Sequence, residues 1–172
     1  QTARRAYDLL ADGFGPGFNG PLQLVAQVDE TITQDDLQAI TQAVQADPDV
    51  VFASPPFSAP NNLVIWKVIQ RESPQAEGTS LLVHRLRDDV LPTAIGDSGL
   101  VINVGGFTAI GVDLSDYFAE RIFLFVGAVL LLSFLLLMIV FRSLLVPLKA
   151  VIMTLLSIGA SYGIVVAIFQ WG

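Results

Sequence analysis

Two long apolar stretches near the carboxyl end dominate the pattern of hydrophobic and polar positions. The first covers residues 122–141 and the second covers about residues 150–171, and neither contains Lys, Arg, His, Asp or Glu. About 20 apolar residues, at a rise of about 1.5 Å each, cover a hydrocarbon core of roughly 30 Å. A soluble helix of this length would need a polar face. The pattern therefore predicts a two-helix transmembrane hairpin over residues 119–172.

The connection between the two stretches is basic. Residues 142–149 contain Arg142 and Lys149 and no acidic residue. Short loops that are rich in Lys and Arg stay on the cytoplasmic side of a membrane. We therefore predict that Arg142 and Lys149 are the topology determinants of a multi-pass protein of the cell membrane. Residues 1–118 are then extracytoplasmic, and Pro147 suits the first turn of the second helix.

The region before the first apolar stretch is strongly acidic. Residues 1–118 contain 15 Asp and Glu against 6 Lys and Arg, a balance of −9. Such a surface repels phosphate groups, so nucleic acid is excluded as a partner. Residues 1–12 lack the apolar core of a signal peptide, and the chain does not begin with Met. We expect a fragment of a longer protein, with a membrane span upstream of residue 1.

Periodicity in the acidic region predicts a helix followed by the order βαββαβ. The predicted elements are a helix over residues 2–14, a strand over 22–28, a helix from Thr33 to about residue 47, a strand over 50–53 that Pro55 and Pro56 interrupt, a strand over 62–70, a helix capped by Thr79 or Ser80 with Leu82, Leu86 and Val90 on one stripe, and a strand over 99–104. This order is the ferredoxin-like pattern, with an antiparallel sheet and both helices on one face. Thr33 and Asp36 are spaced as a capping box.

Two short motifs suggest chemistry that their surroundings do not support. Residues 15–20 (GPGFNG) satisfy G-x-G-x-x-G, but here a helix precedes the motif and a strand follows it, the reverse of a dinucleotide site. A rigid loop leading into the sheet is the better interpretation. Residues 96–99 (GDSG) are like the segment around a serine-protease nucleophile, and His84 is the single histidine. Because Asp, Ser and Gly are common turn residues, we interpret GDSG as a helix-to-strand turn and expect no enzyme. We also expect no cofactor and no metal.

Small and polar residues interrupt the second apolar stretch. The helix-packing or pathway candidates are Ser157, Gly159, Ser161, Tyr162 and Gly163. Small residues four positions apart let helix backbones approach closely, which favours packing inside a larger helix bundle. The alternative is that this stripe borders a substrate or proton path. Apart from Tyr162, neither stretch contains an ionisable group, so the coupling residues of an ion-driven transporter would lie on other helices.

Residues 113–121 lie immediately before the first stretch. We interpret their Asp side chains as the solvated start of a helix, favourable near the positive end of its dipole. Tyr117 and Phe118 fit an aromatic anchor at the membrane interface. No Pro or Gly occurs between Val112 and Val126, so a helix over 107–121 is predicted to continue into the first stretch.

Four segments together resemble the MMPL family of the RND transporter superfamily. They are residues 6–22 (AYDLLADGFGPGFNGPL), 104–117 (VGGFTAIGVDLSDY), 141–150 (FRSLLVPLKA) and 155–172 (LLSIGASYGIVVAIFQWG). The resemblance is to the second half of such a transporter. It implies that residues 1–118 are the porter loop after the seventh transmembrane helix and that the apolar stretches are helices eight and nine.

The resemblance also implies a function. Members export lipids, lipid-linked molecules or drugs across the inner membrane, driven by the proton gradient. The implied partners are the remaining transmembrane helices, the second porter domain and a lipid or amphipathic substrate. The family's Asp-Tyr proton relay lies on helices four and ten, so it is not transferred to Asp116 and Tyr117, which precede helix eight.

Two alternatives stay open. One is a membrane-anchored extracytoplasmic sensor or binding module, although only residues 142–149 separate the spans and an output domain would need more. The other is a secretion accessory subunit of the same superfamily. A full-length gene with many spans and two porter loops would favour export, and a stand-alone two-span gene would favour sensing.

Overall fold

The computed structural model describes residues 2–29, 31–96 and 98–170. Contacts divide the chain into unit 1, Gln1–Asp116, and unit 2, Tyr117–Gly172. From the hydrophobic pattern we predict that the extracytoplasmic domain ends at residue 118 and the transmembrane hairpin begins at residue 119. This domain boundary stays a prediction.

Unit 1 is built on an antiparallel sheet. The helices and strands of the chain are α1 (Thr2–Phe14), β1 (Leu22–Gln27), α2 (Gln34–Gln45), β2 (Val50–Ala53), β3 (Phe57–Ala59), β4 (Leu63–Gln70), α3 (Glu77–Arg85), α4 (Leu91–Ile95), β5 (Ile102–Gly105), α5 (Phe107–Phe141) and α6 (Leu145–Gln170). The strand order is β2-β4-β1-β5, and β3 also pairs with β4. Because β3 pairs with the same strand as β2, we count β2 and β3 as one edge of the sheet. The order of the core elements is then βαββαβ. The ferredoxin-like prediction is therefore confirmed.

Alternation along the strands sets the two faces of the sheet. In β1, Leu22, Leu24 and Ala26 are buried, whereas the residues between them are exposed or half-buried. The core that covers the buried face is one cluster contributed by the strands and the helices, with Leu22, Leu24, Val64, Trp66 and Val68 from the sheet and Leu37, Ile40, Val44, Leu82, Leu86 and Leu91 from the helices. Burial of each such side chain contributes about 1.5–3 kcal/mol before its entropy cost.

Local hydrogen bonds fix α2 on this core. Thr33 accepts a hydrogen bond from the backbone N–H of Asp36, and the Asp36 carboxylate accepts one from the backbone N–H of Thr33. The predicted capping box is thus confirmed. Across the core, the indole N–H of Trp66 on β4 donates to the Thr41 hydroxyl of α2 at 3.0 Å. The largest core side chain therefore has its polar atom satisfied.

The second core helix differs from its prediction at both ends. It begins at Glu77 rather than at a cap formed by Thr79 or Ser80, because the buried Thr79 hydroxyl instead donates to the Ser73 carbonyl oxygen at 2.8 Å. After Arg85 the chain forms one π-helical turn, Leu86–Val90, which precedes Pro92 in α4. A π turn relieves the clash and the lost hydrogen bond that proline causes inside a helix. The extra residue makes Leu91, not Val90, continue the buried stripe of Leu82 and Leu86.

Unit 2 contains α6 and the part of α5 that follows Asp116. Both α5 and α6 are long and apolar enough to cross a membrane. Helix α5 is unbroken from Phe107 to Phe141, which confirms the predicted continuity. Helix α6 begins at Leu145, five residues before the predicted span, and so includes Pro147 in its first turn as expected. The predicted end of this span at Trp171 lies outside the described residues.

Candidate functional site

The predicted stripe on α6 is accessible to a partner. Ser157, Gly159, Ser161, Tyr162 and Gly163 are all exposed on this helix. Among the described residues, no atom outside the helix's own backbone lies within 4 Å of the position that a Cβ would take at Gly159 or Gly163. The Thr154 hydroxyl is satisfied within the helix, since it donates to the Ala150 carbonyl oxygen at 2.9 Å. Because the stripe residues are exposed in the described part of the chain, the role of the stripe in packing or in a pathway stays a prediction.

The connection between the apolar helices is shorter than predicted. It consists of residues 142–144, since α5 ends at Phe141 and α6 begins at Leu145. Arg142 ends α5 in the left-handed conformation, with φ 47°. This position is usually glycine, because a side chain there is strained. Lys149 is exposed one turn inside α6. Both predicted topology determinants therefore lie at the same end of the two helices.

In unit 1, buried hydrogen bonds connect the loop before β1 to the end of β4 and to the first turn of α5. We call this group of residues the Gly20 junction (Gly17, Gly20, Gln70 and Thr108). The carbonyl oxygen of Gly20 accepts hydrogen bonds from the Gln70 side-chain amide, at 2.8 Å, and from the Thr108 hydroxyl, at 2.5 Å. Gln70 ends β4 and Thr108 lies in the first turn of α5. The loop that precedes β1 is thereby joined to the base of α5.

Glycine is required at this junction by close approach. A Cβ on Gly17 would overlap the carbonyl oxygen of Gln70, and one on Gly20 would lie 2.6 Å from the Thr108 hydroxyl oxygen. Nearby, Gly106 has φ 98° and its Cβ position is 3.0 Å from the carbonyl oxygen of Pro21. The GPGFNG motif thus serves close backbone packing. As predicted, a helix precedes it and a strand follows it.

Two ion pairs join the helix that begins at α3 to the start of α5, and we call them the α3–α5 ladder. His84 Nε2 lies 3.2 Å from Asp116 Oδ2. The Arg87 guanidinium, in the π turn, binds both carboxylate oxygens of Asp113, and its Nη2 lies 3.1 Å from Oδ2. Hydrogen bonding to Asp113 raises the pKa of Arg87 above its ordinary value.

The ladder corrects the interpretation of residues 113–121. Asp113 and Asp116 do not form the solvated start of a helix, because α5 begins at Phe107 and both carboxylates lie beyond its first turn. They are paired with Arg87 and His84 instead. Sequence reasoning missed these pairs since nothing local links residues about thirty positions apart. The two acidic positions, three apart on one helix face, were the available signal.

A second charged cluster connects α3 to the turn between α2 and β2. Asp47, whose side chain is 2% exposed, binds Arg85 through two hydrogen bonds of 2.6 and 2.7 Å. Asp49 binds the same guanidinium at 2.7 Å. The Arg85 hydrogen bonds hold the pKa of Asp47 below its ordinary value. A carboxylate held ionised in this way is suited to fixing α3 against the corner rather than to exchanging protons.

Ser98 of the serine motif is hydrogen-bonded within its own turn. Ser98 Oγ accepts a hydrogen bond from the backbone N–H of Leu100 at 3.3 Å. His84 faces Asp116 on α5. Asp97 of the same motif lies outside the described residues. Ser98 therefore behaves as a turn residue before β5 in the part of the chain that the structure describes.

Comparisons with known proteins relate the chain to one family of membrane proteins. A family model described as "MMPL family" matches residues 21–172. Membrane protein YdfJ of Bacillus subtilis is 39% identical, and the match covers 98% of this chain and 23% of YdfJ. MmpL11 of Mycolicibacterium smegmatis, named a mycolic acid-containing lipids exporter, is 29% identical over 98% of this chain and 18% of its own length.

A further relative carries a different name. MmpL11 of Mycobacterium tuberculosis H37Rv, named a heme uptake protein, is 32% identical over 94% of this chain and 17% of its own length. The chain therefore spans less than a quarter of each of these relatives. Among solved structures, the mycobacterial membrane protein MmpL11D2 aligns with a TM-score of 0.40 and 20% identity, covering 49% of this chain and 100% of that one.

Proposed function

This chain belongs to the MMPL family of membrane transporters, and we propose that it is part of an exporter of lipids, lipid-linked molecules or drugs across the inner membrane. The observation that carries the proposal is the family match over residues 21–172, which includes the sheet of unit 1 and both apolar helices. Because the chain spans less than a quarter of its relatives, transport is proposed for the longer protein that contains it.

The cargo that we propose is amphipathic. One relative is named an exporter of mycolic acid-containing lipids and another a heme uptake protein. Lipids and heme both combine an extended apolar body with charged or polar groups. Lipid export is therefore the first candidate, and uptake of heme is the second, which the name of the M. tuberculosis relative favours.

We propose that unit 1 is extracytoplasmic. Arg142 and Lys149 lie at the same end of the apolar helices, and short basic connections stay in the cytoplasm. With this orientation, the acidic region before the first span lies on the outer side of the membrane, where it acts as a porter domain. Neither an enzymatic reaction nor a cofactor nor nucleic acid has a part in the proposal.

The groups that couple transport to the proton gradient would lie outside residues 122–141 and 150–168. The apolar helices contain no Asp, Glu, Lys, Arg or His within residues 122–141 and 150–168, whereas proton-driven transporters carry ionisable groups at bilayer depth. We propose that those groups lie on further helices of the same protein. The exposed stripe on α6 is the surface that we expect those helices to contact.

The test uses the longer protein in a bacterial host that lacks a related exporter. Two quantities are measured with and without a protonophore: the labelled lipid that reaches the outer leaflet, and the heme that cells accumulate. Lipid export that the protonophore abolishes is the expected result. Gain of heme uptake alone would replace the first candidate with the second.

A control separates transport from binding. The longer protein with Gly163→Leu keeps unit 1 intact but crowds the proposed helix contact, so it should bind cargo and not move it. If neither cargo moves in the unaltered protein, but one of them binds to it at the outer surface, the sensor interpretation would take the place of export.

A further inference from the structure

Two cations, at the end of α5 and the start of α6, have no counter-charge in the neighbouring sequence. Arg142 and Lys149 are the only charged side chains after Arg121, and the last acidic residue before them is Glu120. At about 1.5 Å per residue, Glu120 lies roughly 33 Å away from Arg142 along α5. The connection between the helices, residues 142–144, adds no acidic group. The two positive charges must therefore be compensated from outside this part of the chain.

Both cations lie at the same boundary of the apolar helices. Helix α5 ends at Phe141, directly before Arg142, and Lys149 directly precedes the charge-free stretch that begins at residue 150. Both helices are long and apolar enough to cross a membrane. Long basic side chains near the ends of such helices extend into the layer of lipid head groups. The two cations are therefore at the depth where lipid phosphates lie.

The surface around Lys149 is apolar. A groove of about 400 Å³ is lined by Lys149 together with Leu145, Val146, Ala150 and Met153. The Lys149 side chain is exposed at this groove. One cation beside an apolar wall suits a ligand that combines a negative head group with a hydrocarbon chain. A water-soluble anion would gain nothing from the apolar walls.

Arg142 adds a group that recognises phosphate. Its φ of 47° is in the left-handed region, which favours glycine because a side chain there is strained. The Arg142 side chain is exposed, and a guanidinium donates paired hydrogen bonds to two phosphate oxygens. The Lys149 ammonium supplies a second positive charge in the same head-group layer. Together they offer one anion both a directional and a general electrostatic attraction.

We propose that Arg142, Lys149 and the apolar groove beside Lys149 form a docking site for an anionic phospholipid. The two cations bind its phosphate, and one acyl chain lies along α6. This lipid is a component of the surrounding membrane and not the cargo, so the site does not rest on the proposed function. A carboxylate from another helix of the longer protein is the competing occupant.

The test is photo-crosslinking of the longer protein in lipid nanodiscs. Phosphatidylglycerol and phosphatidylcholine that carry the same photoreactive acyl chain are compared, and crosslinked peptides are mapped by mass spectrometry. Phosphatidylglycerol should label residues 145–153 several-fold more than phosphatidylcholine does. Arg142→Gln and Lys149→Gln should each lower labelling by phosphatidylglycerol about fivefold, the contribution of one basic residue near an anionic surface. Labelling by phosphatidylcholine should not change.

Two further variants separate charge from structure. Lys67→Gln is the matched control, because it removes the same charge from an exposed position of β4 and should leave labelling unchanged. Arg142→Gly relieves the strained backbone, so it should fold at least as well as the unaltered protein and still lose the labelling. Raising the salt concentration from about 0.1 M to about 1 M shortens the Debye length from about 10 Å to about 3 Å. The preference for phosphatidylglycerol should fall accordingly.

Three results would overturn the proposal. Equal labelling by the two lipids would show that a group from elsewhere in the longer protein compensates the cations. Full labelling by phosphatidylglycerol after both Arg142→Gln and Lys149→Gln would remove the cations from the site. Displacement of the lipid by inorganic phosphate would show that the site recognises the ion alone. Nanodiscs present the same lipid in both leaflets and transport is not measured, so a failure here is distinguishable from a failure of the proposed orientation or of export.

Discussion

The Gln70 side chain donates a hydrogen bond of 2.8 Å to the carbonyl oxygen of Gly20, fifty residues earlier in the chain. The same oxygen accepts from Thr108, at the base of α5. One backbone carbonyl therefore holds together the end of β4, the loop that precedes β1 and the start of the helix that continues into the first span. This arrangement gives the glycine-rich loop a structural role in joining β4 to the start of α5.

The first prediction concerns this loop. Gly17→Ala should destabilise unit 1 by about 1–3 kcal/mol or more, because the added methyl group overlaps the Gln70 carbonyl oxygen and the backbone must move. The measurement is denaturant or thermal unfolding of the chain followed by circular dichroism. Gly13→Ala is the control, since it lies in α1 with nothing within 4 Å of its Cβ position. It should be neutral or stabilise the helix by up to about 1 kcal/mol.

The second prediction concerns pH. Asp47 has a folded-state pKa below its ordinary value because Arg85 donates hydrogen bonds to it. A depressed carboxyl pKa contributes stability that is present above the unfolded pKa, near pH 4, and is lost as pH falls through the folded pKa. Asp47→Asn should therefore cost about 1.5–3 kcal/mol at neutral pH. The difference from the unaltered chain should shrink below about pH 4.

The control for this pair is Asp49→Asn. Asp49 binds the same guanidinium, but its side chain is 38% exposed. Asp49→Asn should therefore lower the free energy of unfolding by less than Asp47→Asn does. Unfolding free energies measured between about pH 3 and pH 7 test both variants. An unchanged gap between Asp47→Asn and the unaltered chain across this range would contradict the assigned role of Arg85.

The third prediction concerns topology. In intact cells, Ser143→Cys should resist an impermeant thiol reagent and react only after permeabilisation, because a basic connection between spans is expected in the cytoplasm. The chain contains no cysteine of its own, and other cysteines of the longer protein would be replaced. Gln75→Cys, at an exposed position of unit 1, should react without permeabilisation. Rapid reaction at residue 143 from outside would reverse the proposed orientation.

The fourth prediction concerns α6. Gly159→Leu should weaken assembly of the longer protein by about 1–3 kcal/mol, because a large side chain enters a surface that we expect to pack against another helix. Ile168→Leu is the control, because residue 168, nine positions after Gly159, lies on the opposite side of the helix. Thermal stability of the purified transporter in detergent is the measurement. Equal losses for the two variants would argue that the stripe faces lipid.

Local signals were sufficient for much of unit 1. The capping box of Thr33 and Asp36 depends on four consecutive residues, and the strand alternation in β1 depends on six. Both were predictable because the physics that produces them is contained in the segment itself. The same is true of α5 and α6, whose length and apolarity are read directly from composition.

Features set by distant partners were not predictable. Thr79 was predicted to be a helix cap, but its hydroxyl donates a hydrogen bond to the carbonyl oxygen of Ser73. The buried stripe moved from Val90 to Leu91 because a π turn precedes Pro92. The ladder and the Gly20 junction join residues that are far apart in sequence, so only the tertiary fold brings their charges and carbonyls together. The stripe on α6 depends on helices beyond this chain and stays a prediction for that reason.

The position of Arg87 has a consequence for how the protein behaves at high density. Besides binding Asp113, its guanidinium donates to the carbonyl oxygen of Val104 on β5, at 2.9 Å, and β5 is the outermost strand of the sheet on that side. A bare outer strand is a template on which another polypeptide can add itself. With the Val104 carbonyl oxygen occupied by Arg87, this edge offers one acceptor fewer to an incoming strand. At high density, strand-to-strand pairing between copies at this edge is therefore less favourable.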